Sequence, residues 1–273
     1  MSTKRFARLA LPGPAGSGVP TWVELERASA ADGSYRAFPL DAAPWLGGKR
    51  AGGALDGYDA GAVGQAPRVA PADPRKILCV GRNYRAHARE LGNEVPAEPM
   101  LFYKPSTSIL APGGAVELPP AEVSSRIEHE AELAVVIGRR LRRASEDAAL
   151  EAVLGYTLAC DVTARDLQKK DGQWWRAKGM DTFCPIGPVI VCGLDPQALT
   201  IACRVNGETR QQGRTADMIF SVARVLAHVS ETITLEPGDV ILTGTPEGVG
   251  PLTSGDRVEI EIAEIGVLPF AVA

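Results

Sequence analysis

Glu130-Ala131-Glu132-Leu133-Ala134-Val135-Val136-Ile137 and Gly155-Tyr156-Thr157-Leu158-Ala159-Cys160-Asp161-Val162 are the two stretches that decide how this chain folds. Successive side chains of a strand point to opposite faces, so Glu130 and Glu132 share a face with Ala134 and Val136. A face that continues into alanine and valine runs into an interior, and here it carries two acids inward. Asp161 reads as an unpaired acid inside the second apolar run. Burying an isolated carboxylate is very costly unless a cation compensates it. Three converging acids with few candidate basic partners point to a hard divalent metal, which prefers oxygen ligands. The alternative is an exposed edge strand carrying Glu130 and Glu132, with Asp161 in an ordinary ion pair.

Working outward, 273 residues allow one large domain or one main domain with a small appendage. Hydrophobic residues make up 45% and charged residues 23%, as in ordinary globular proteins. A net charge of −4, with no basic stripe interleaved by aromatics, argues against nucleic acid. Arg139-Arg140-Leu141-Arg142-Arg143 reads as a solvated turn between a strand and a helix. The five cysteines, Cys79, Cys160, Cys184, Cys192 and Cys203, form no Cys-x-x-Cys pair, which excludes a disulfide framework or a zinc-ligand spacing. Leu9-Ala10-Leu11 is stopped by Pro12, too short for a signal-peptide core, and no later run would span a bilayer. The expectation is a cytoplasmic protein with no membrane partner.

Residues 1–70 are rich in Gly, Ala and Pro, with strand-like pieces at 22–26 and 35–38, and Pro67, Pro71 and Pro74 mark the end of the segment. They suggest a small β-rich domain with a linker, followed by a catalytic domain over 71–273. Strands are expected at 77–80, 100–103, 189–192, 200–205, 239–243 and 257–262, with turns at Asn206-Gly207, Pro237-Gly238 and Ser254-Gly255. Ser145 caps a helix carrying Glu146 and Asp147 in its first turn. A second helix is expected over 217–229, with Ile219, Val222, Leu226 and Val229 on one face. Strands dominate and do not alternate regularly with helices, so the fold class is a β-rich α+β mixture and not a doubly wound sheet.

Of the three histidines, His228 near a helix end reads as structural. His129 alternates with the two glutamates and is placed to lock their strand from behind. His87 and Glu90 lie three apart on a short polar helix after Gly81, and therefore meet on one face. A carboxylate that orients an imidazole makes a general base able to activate water. The competing reading is an exposed pair contributing about 0.2–0.5 kcal/mol. Lys178 lies in a glycine-flanked loop with Trp174 and Trp175, either as a cation beside the acids or on the surface. The loop from Thr243 to Gly250 lacks the pattern of a P-loop or a dinucleotide fingerprint. Its backbone N–H groups and Thr245 suit a small carboxylate.

Seven stretches together resemble the fumarylacetoacetate hydrolase family over roughly residues 75–265. They are Gly81-Arg82-Asn83-Tyr84 with His87 and Glu90, Phe102-Tyr103-Lys104-Pro105-Ser106, His129-Glu130-Ala131-Glu132-Leu133, and Asp161-Val162-Thr163-Ala164-Arg165-Asp166. After these come Ala177-Lys178 with Asp181 to Pro188, Arg204-Val205-Asn206-Gly207-Glu208, and Thr243 to Gly250. The resemblance implies a mixed β-sandwich roll and Mg²⁺ (or Mn²⁺) held by Glu130, Glu132 and Asp161. It also implies a lid bearing the catalytic pair His87 and Glu90, Lys178 in the pocket, and substrate contacts from Arg82, Tyr84, Arg165, Gln168 and Thr245. Gly179-Met180 departs from the serine and aromatic that relatives often carry there. A homodimer is a further implication.

The implied activity is metal-dependent hydrolysis of a C–C bond in 3-acylpyruvates, as in the breakdown of aromatic compounds, through an enolate that the metal and Lys178 stabilise. Decarboxylation of oxaloacetate or isomerisation of a 2-oxo diacid on the same scaffold is the first alternative. A non-catalytic, metal-dependent binding protein for small acids is the second. The expected partner in each case is a small 2-oxo acid.

Overall fold

The computed structural model describes residues 3–12, 18–28, 35–55, 68–90, 92 and 94–273. The N-terminal strands are β1 (Arg5–Pro12), β2 (Gly18–Arg27), β3 (Tyr35–Pro39) and β4 (Arg68–Val69). Then come β5 (Ile77–Gly81), β6 (Met100–Lys104), β7 (Ile109–Leu110), β8 (Ala115–Val116), β9 (Ile127–His129) and β10 (Ala131–Ile137). The middle holds β11 (Val153–Cys160), β12 (Thr163–Ala164), β13 (Cys184–Val191), β14 (Thr200–Val205) and β15 (Glu208–Arg214). The chain closes with β16 (Val240–Leu242), β17 (Gly250–Pro251), β18 (Arg257–Ile262) and β19 (Gly266–Val272). Five short α-helices interrupt the described strands: α1 (Arg85–Glu90), α2 (Glu146–Glu151), α3 (Arg165–Lys170), α4 (Trp175–Lys178) and α5 (Val222–Thr232).

The main sheet runs β3-β2-β1-β13-β11-β10-β16-β5-β6, with β4 beside β1 and β7 beside β13. A five-stranded sheet, β15-β14-β18-β19-β8, packs its β14, β18 and β19 over β10, β11 and β13. The result is the β-rich mixed sandwich that the resemblance implies. Its seam is β10, buried along all seven residues. Leu133, Val135 and Ile137 enter the core shared with Ile260, Phe270 and the α5 residues Val225, Leu226 and Val229. Ala134 and Val136, on the opposite face by the period of two, join a second core with Phe6, Leu40, Ala70, Ile77 and Ile190. A strand covered on both faces reads as a continuous apolar run, which is how this one looks in the sequence.

The N-terminal segment is β-rich, and its β1 is hydrogen-bonded to β13, so it continues the main sheet. Phe6, Leu40 and Ala70 also supply part of the second core's cover. Pro67 and the linker residues 56–67 lie outside the described residues. Among the described residues, no helix is long and apolar enough to cross a membrane.

Two local expectations need correction. The second helix begins at Val222, five residues later than the apolar spacing indicates. Asn83 is the reason: its carbonyl takes the Ile219 N–H at 2.7 Å and its side chain takes Phe220 N–H at 2.8 Å. Ser221 then caps the helix by accepting from Arg224 N–H. The second correction concerns Glu130, which sits between two strands. β9 before it pairs with β12 and β17 in a separate three-stranded sheet, while β10 after it belongs to the main sheet. Ser145 does cap α2, accepting from Ala148 N–H.

Candidate active site

The break at Glu130 and the end of β11 bring the acids together. The Glu130 carbonyl accepts the Asp161 N–H at 2.9 Å, which locks the break to the residue just beyond β11. Glu130, Glu132 and Asp161 are all buried, and ligand oxygens from the three lie within 4.8 Å of one another. The expectation of an unpaired Asp161 with few basic neighbours does not hold. Lys104 Nζ donates to Asp161 Oδ1 at 2.7 Å, and Lys178 Nζ donates to Asp161 Oδ2 at 2.6 Å and Glu130 Oε2 at 2.8 Å. Arg165 donates to Glu130 Oε1 at 2.6 Å and to Glu128 Oε2 at 2.7 Å. These cations come from β6, α4 and α3, remote in sequence from the acids they meet.

Glu132 is the exception. It is 1% exposed and, among the described residues, has no cation within ion-pair distance. Its Oε2 accepts the Gly244 N–H at 2.6 Å. Gly244 has φ +96°, and a Cβ there would lie 2.7 Å from the Asn83 side chain, so only glycine lets the loop come this close. Burial, with the neighbouring Asp161 and Glu130 carboxylates, pushes the Glu132 carboxyl well above its ordinary range. Burial acts the same way on Glu130, but Lys178 and Arg165 outweigh it and hold that carboxyl below its usual value. For Lys178, burial opposes the charge while Asp161 and Glu130 more than restore it, raising its pKa. Three buried carboxylates, one of them without a cationic partner, fit a hard divalent cation well.

Beside the acids lies a cavity of about 520 Å³ that His87, Glu90, Arg82, Gln168 and Trp174 line together with Glu130, Arg165 and Lys178. His87 is buried on α1, and its Nδ1 stands 3.3 Å from Glu90 Oε2. The other Glu90 oxygen accepts Gly248 N–H at 3.0 Å, which ties the helix to the glycine-rich loop. Gln168 receives Arg165 Nη1 at 2.6 Å. Trp174 leans on Gly81, where a Cβ would meet the indole at 2.9 Å.

Tyr84 and Thr245 sit behind this wall. Tyr84 is buried and bridges to Met218, with its hydroxyl pKa raised by burial and by Glu132. The Thr245 hydroxyl donates to the Ala131 carbonyl at 2.8 Å and accepts from Gln211 Nε2 at 2.8 Å. Gln211 also accepts Ala131 N–H at 3.0 Å and stands 3.1 Å from His129 Nδ1. His129 thus braces the strand break from behind, and burial lowers its pKa despite the Gln211 contact. His228 is half-buried on α5, away from the cavity lining.

Sequence reasoning missed Lys104, Glu128 and Gln211 as parts of this cluster. The signal for Lys104 was a lysine ending a short apolar strand. Glu128 carried the same alternation as Glu130. Gln211 carried none, because its neighbours on β15 are exposed.

The family model for the fumarylacetoacetate (FAA) hydrolase C-terminal domain matches residues 76–273. The mitochondrial oxaloacetate tautomerase FAHD1 of Arabidopsis thaliana is 48% identical over 203 residues, covering 72% of this chain and 90% of that protein. The crystal structure of 2-hydroxyhepta-2,4-diene-1,7-dioate isomerase from Mycobacterium marinum is 39% identical with a TM-score of 0.85, covering 98% of each chain. Fumarylacetoacetate hydrolase from the psychrophile Exiguobacterium antarcticum is 33% identical with a TM-score of 0.80, covering 98% of this chain and 99% of that one.

Proposed function

The chain belongs to the fumarylacetoacetate hydrolase family, and we propose that it is a metal-assisted enolising enzyme for 2-oxo dicarboxylates, moving a proton between carbon and oxygen of an oxaloacetate-like substrate. The charge of the cavity carries this reading. Arg82, Arg126, Arg165, Lys169 and Lys178 line it against Glu90 and Glu130. Of these, Arg165 and Lys178 are already paired with Glu130, Lys178 also with Asp161, and Arg126 with Glu128, while Arg82 and Lys169 have no ion pair among the described residues. A divalent cation held by the acids would make this cavity more positive still, which favours a dianionic substrate over a monoanion. The similarity to an oxaloacetate tautomerase and to a dienedioate isomerase supports the same choice of a diacid.

Glu130, Glu132 and Asp161 would hold the cation, which supplies Lewis-acid polarisation of the 2-oxo group when bound. Lys178 sets its ammonium against the oxygen that turns negative in the enolate, so its attraction grows toward the transition state. With its proton on Nδ1 facing Glu90, His87 keeps Nε2 as a base that takes the proton from the enol O–H and delivers it to C3, and in the reverse direction takes the C3 proton and returns it to the oxygen. The enol O–H breaks as the C3–H forms, so no other reactant is needed. Arg82 and Lys169, which have no ion pair among the described residues, are left for the distal carboxylate. Trp174 lines the same cavity with its indole against Gly81 and Phe102.

Hydrolysis of the C–C bond in a 3-acylpyruvate is the second reading. The His87–Glu90 pair favours it, because an imidazole oriented by a carboxylate can equally take a proton from water. Oxaloacetate and acetylpyruvate separate the two. With Mg²⁺ present, ketonisation of enol-oxaloacetate should run well above the buffer rate, followed by loss of the enol's ultraviolet absorbance. Acetylpyruvate cleavage, followed as pyruvate release, should be slower. Efficient cleavage with no accelerated ketonisation would replace the first reading by the second.

A further inference from the structure

Lys104 ends β6 and is 0% exposed. An ammonium has three N–H donors. This one finds three acceptors: Asp161 Oδ1 at 2.7 Å, the Val162 carbonyl at 3.4 Å, and the Lys178 carbonyl. A charge buried this deeply persists only when it is paired and hydrogen-bonded. The choice of acceptors gives it meaning. One belongs to a carboxylate of the acid trio, and another is the main chain of the lysine whose own ammonium reaches Glu130 and Asp161. Lys104 thereby ties β6 to the residues after β11 and to the end of α4.

The two oxygens of Asp161 are held by different lysines, Oδ1 by Lys104 and Oδ2 by Lys178. Those lysines are not equivalent. Lys178 lines the cavity and can exchange a carboxylate for a substrate oxygen. Lys104 is sealed behind it, so its charge stays with Asp161 whatever binds in front.

We propose that Lys104 is a positioning residue: a fixed cation that holds Asp161 and the Lys178 main chain in register and weakens the grip of the acid trio on a divalent cation. The inference rests on the metal-assisted reading of the trio and not on the choice of substrate. A fixed positive charge beside one ligand lowers cation affinity and leaves the loaded site more positive toward an anionic substrate. The two roles make opposite demands when the lysine is removed. Losing the charge should tighten metal binding, whereas losing the strut should slow turnover.

Lys104→Met removes both charge and hydrogen bonds, while Lys104→Gln removes the charge and can still donate to Asp161 and the Lys178 carbonyl. Mg²⁺ affinity would be measured by calorimetry on chelator-stripped protein, with circular dichroism as the check on folding. Both variants should bind Mg²⁺ at least about tenfold more tightly, the floor set by removing one unit charge from beside a divalent ion even at the dielectric of water. The Met variant should lose about tenfold or more in kcat, with a smaller change in KM, and the Gln variant should lose less. A lysine that only supports the fold would weaken metal binding and turnover together. Unchanged or weaker Mg²⁺ affinity overturns the proposal, and so does a wild-type kcat in the Met variant. If the Met variant does not fold, the affinity of the Gln variant decides. Calorimetry needs no substrate, so a wild-type protein inactive on both oxaloacetate and acetylpyruvate would sink the functional reading and leave this test standing.

Discussion

Replacing Glu132 by glutamine should stabilise the metal-free protein while weakening its hold on metal. Glu132 lies with Glu130 and Asp161 where ligand oxygens of all three are within 4.8 Å, and it has no cationic partner among the described residues. Two unit charges at that separation repel by about 3.5 kcal/mol at an effective dielectric near 20. Lys104, Lys178 and Arg165 offset part of this, and a proton on Glu132 caps the remainder. The net gain from glutamine is then about 1–3 kcal/mol in mildly alkaline buffer, or about 2–4 °C in Tm for each kcal/mol. Glutamine keeps an oxygen for the Gly244 N–H, so the loop contact survives.

The pH dependence follows from the raised Glu132 carboxyl. The folded protein holds a proton that the unfolded chain releases above its ordinary carboxyl pKa. The stabilisation is therefore full below that unfolded value and is lost as pH rises through the folded one. In chelator, the Tm advantage of Glu132→Gln should widen as pH is raised from about 5 to about 8.5. Adding Mg²⁺ should raise the wild-type Tm by mass action and raise the variant much less. Thermal unfolding followed by circular dichroism reads both effects. A variant less stable than wild type at the alkaline end, or one equally stabilised by Mg²⁺, would refute this account of Glu132.

Lys178→Met should lower kcat about a hundredfold and change KM far less, because the ammonium faces charge that develops in the transition state. Steady-state kinetics at saturating Mg²⁺ checks this, and a wild-type kcat would remove Lys178 from the chemistry. His87→Ala should abolish proton transfer on oxaloacetate and cleavage of acetylpyruvate alike, since both readings use its free nitrogen. Glu90→Gln keeps the imidazole and loses only its charged orienting partner, so it should cost about tenfold, less than the roughly 10²–10⁴-fold of a general base itself. A Glu90→Gln loss as deep as that of His87→Ala would mean that the Glu90 charge, and not only its orienting contact, is needed for proton transfer.

Period and composition were enough to identify the seam of the fold. Six apolar residues in β10, the runs of β5 and β11, and the turn at Asn206-Gly207 are local signals that tertiary contacts did not override. The acid trio was legible for the same reason, since carboxylates inside apolar runs have few physical explanations. The helix start at Val222 was not legible, because it depends on Asn83 capturing the backbone of Ile219 and Phe220 from more than 130 residues away. Nor was the strand break at Glu130, which alternation alone does not register.

The sequence by itself determined a β-rich mixed fold with acids drawn into it and a histidine–glutamate pair on a short helix. Those features follow from periodicities of two and of three to four residues, which the chain carries locally. Which cation meets which acid was decided only by tertiary structure. Lys104, Arg165 and Lys178 reach the trio because β6, α3 and α4 converge on the end of β11. Glu132 alone lacks such a partner among the described residues because a backbone N–H at Gly244 reaches it instead. Electrostatic pairing depends on distance and burial in three dimensions, so spacing along the chain does not reveal it.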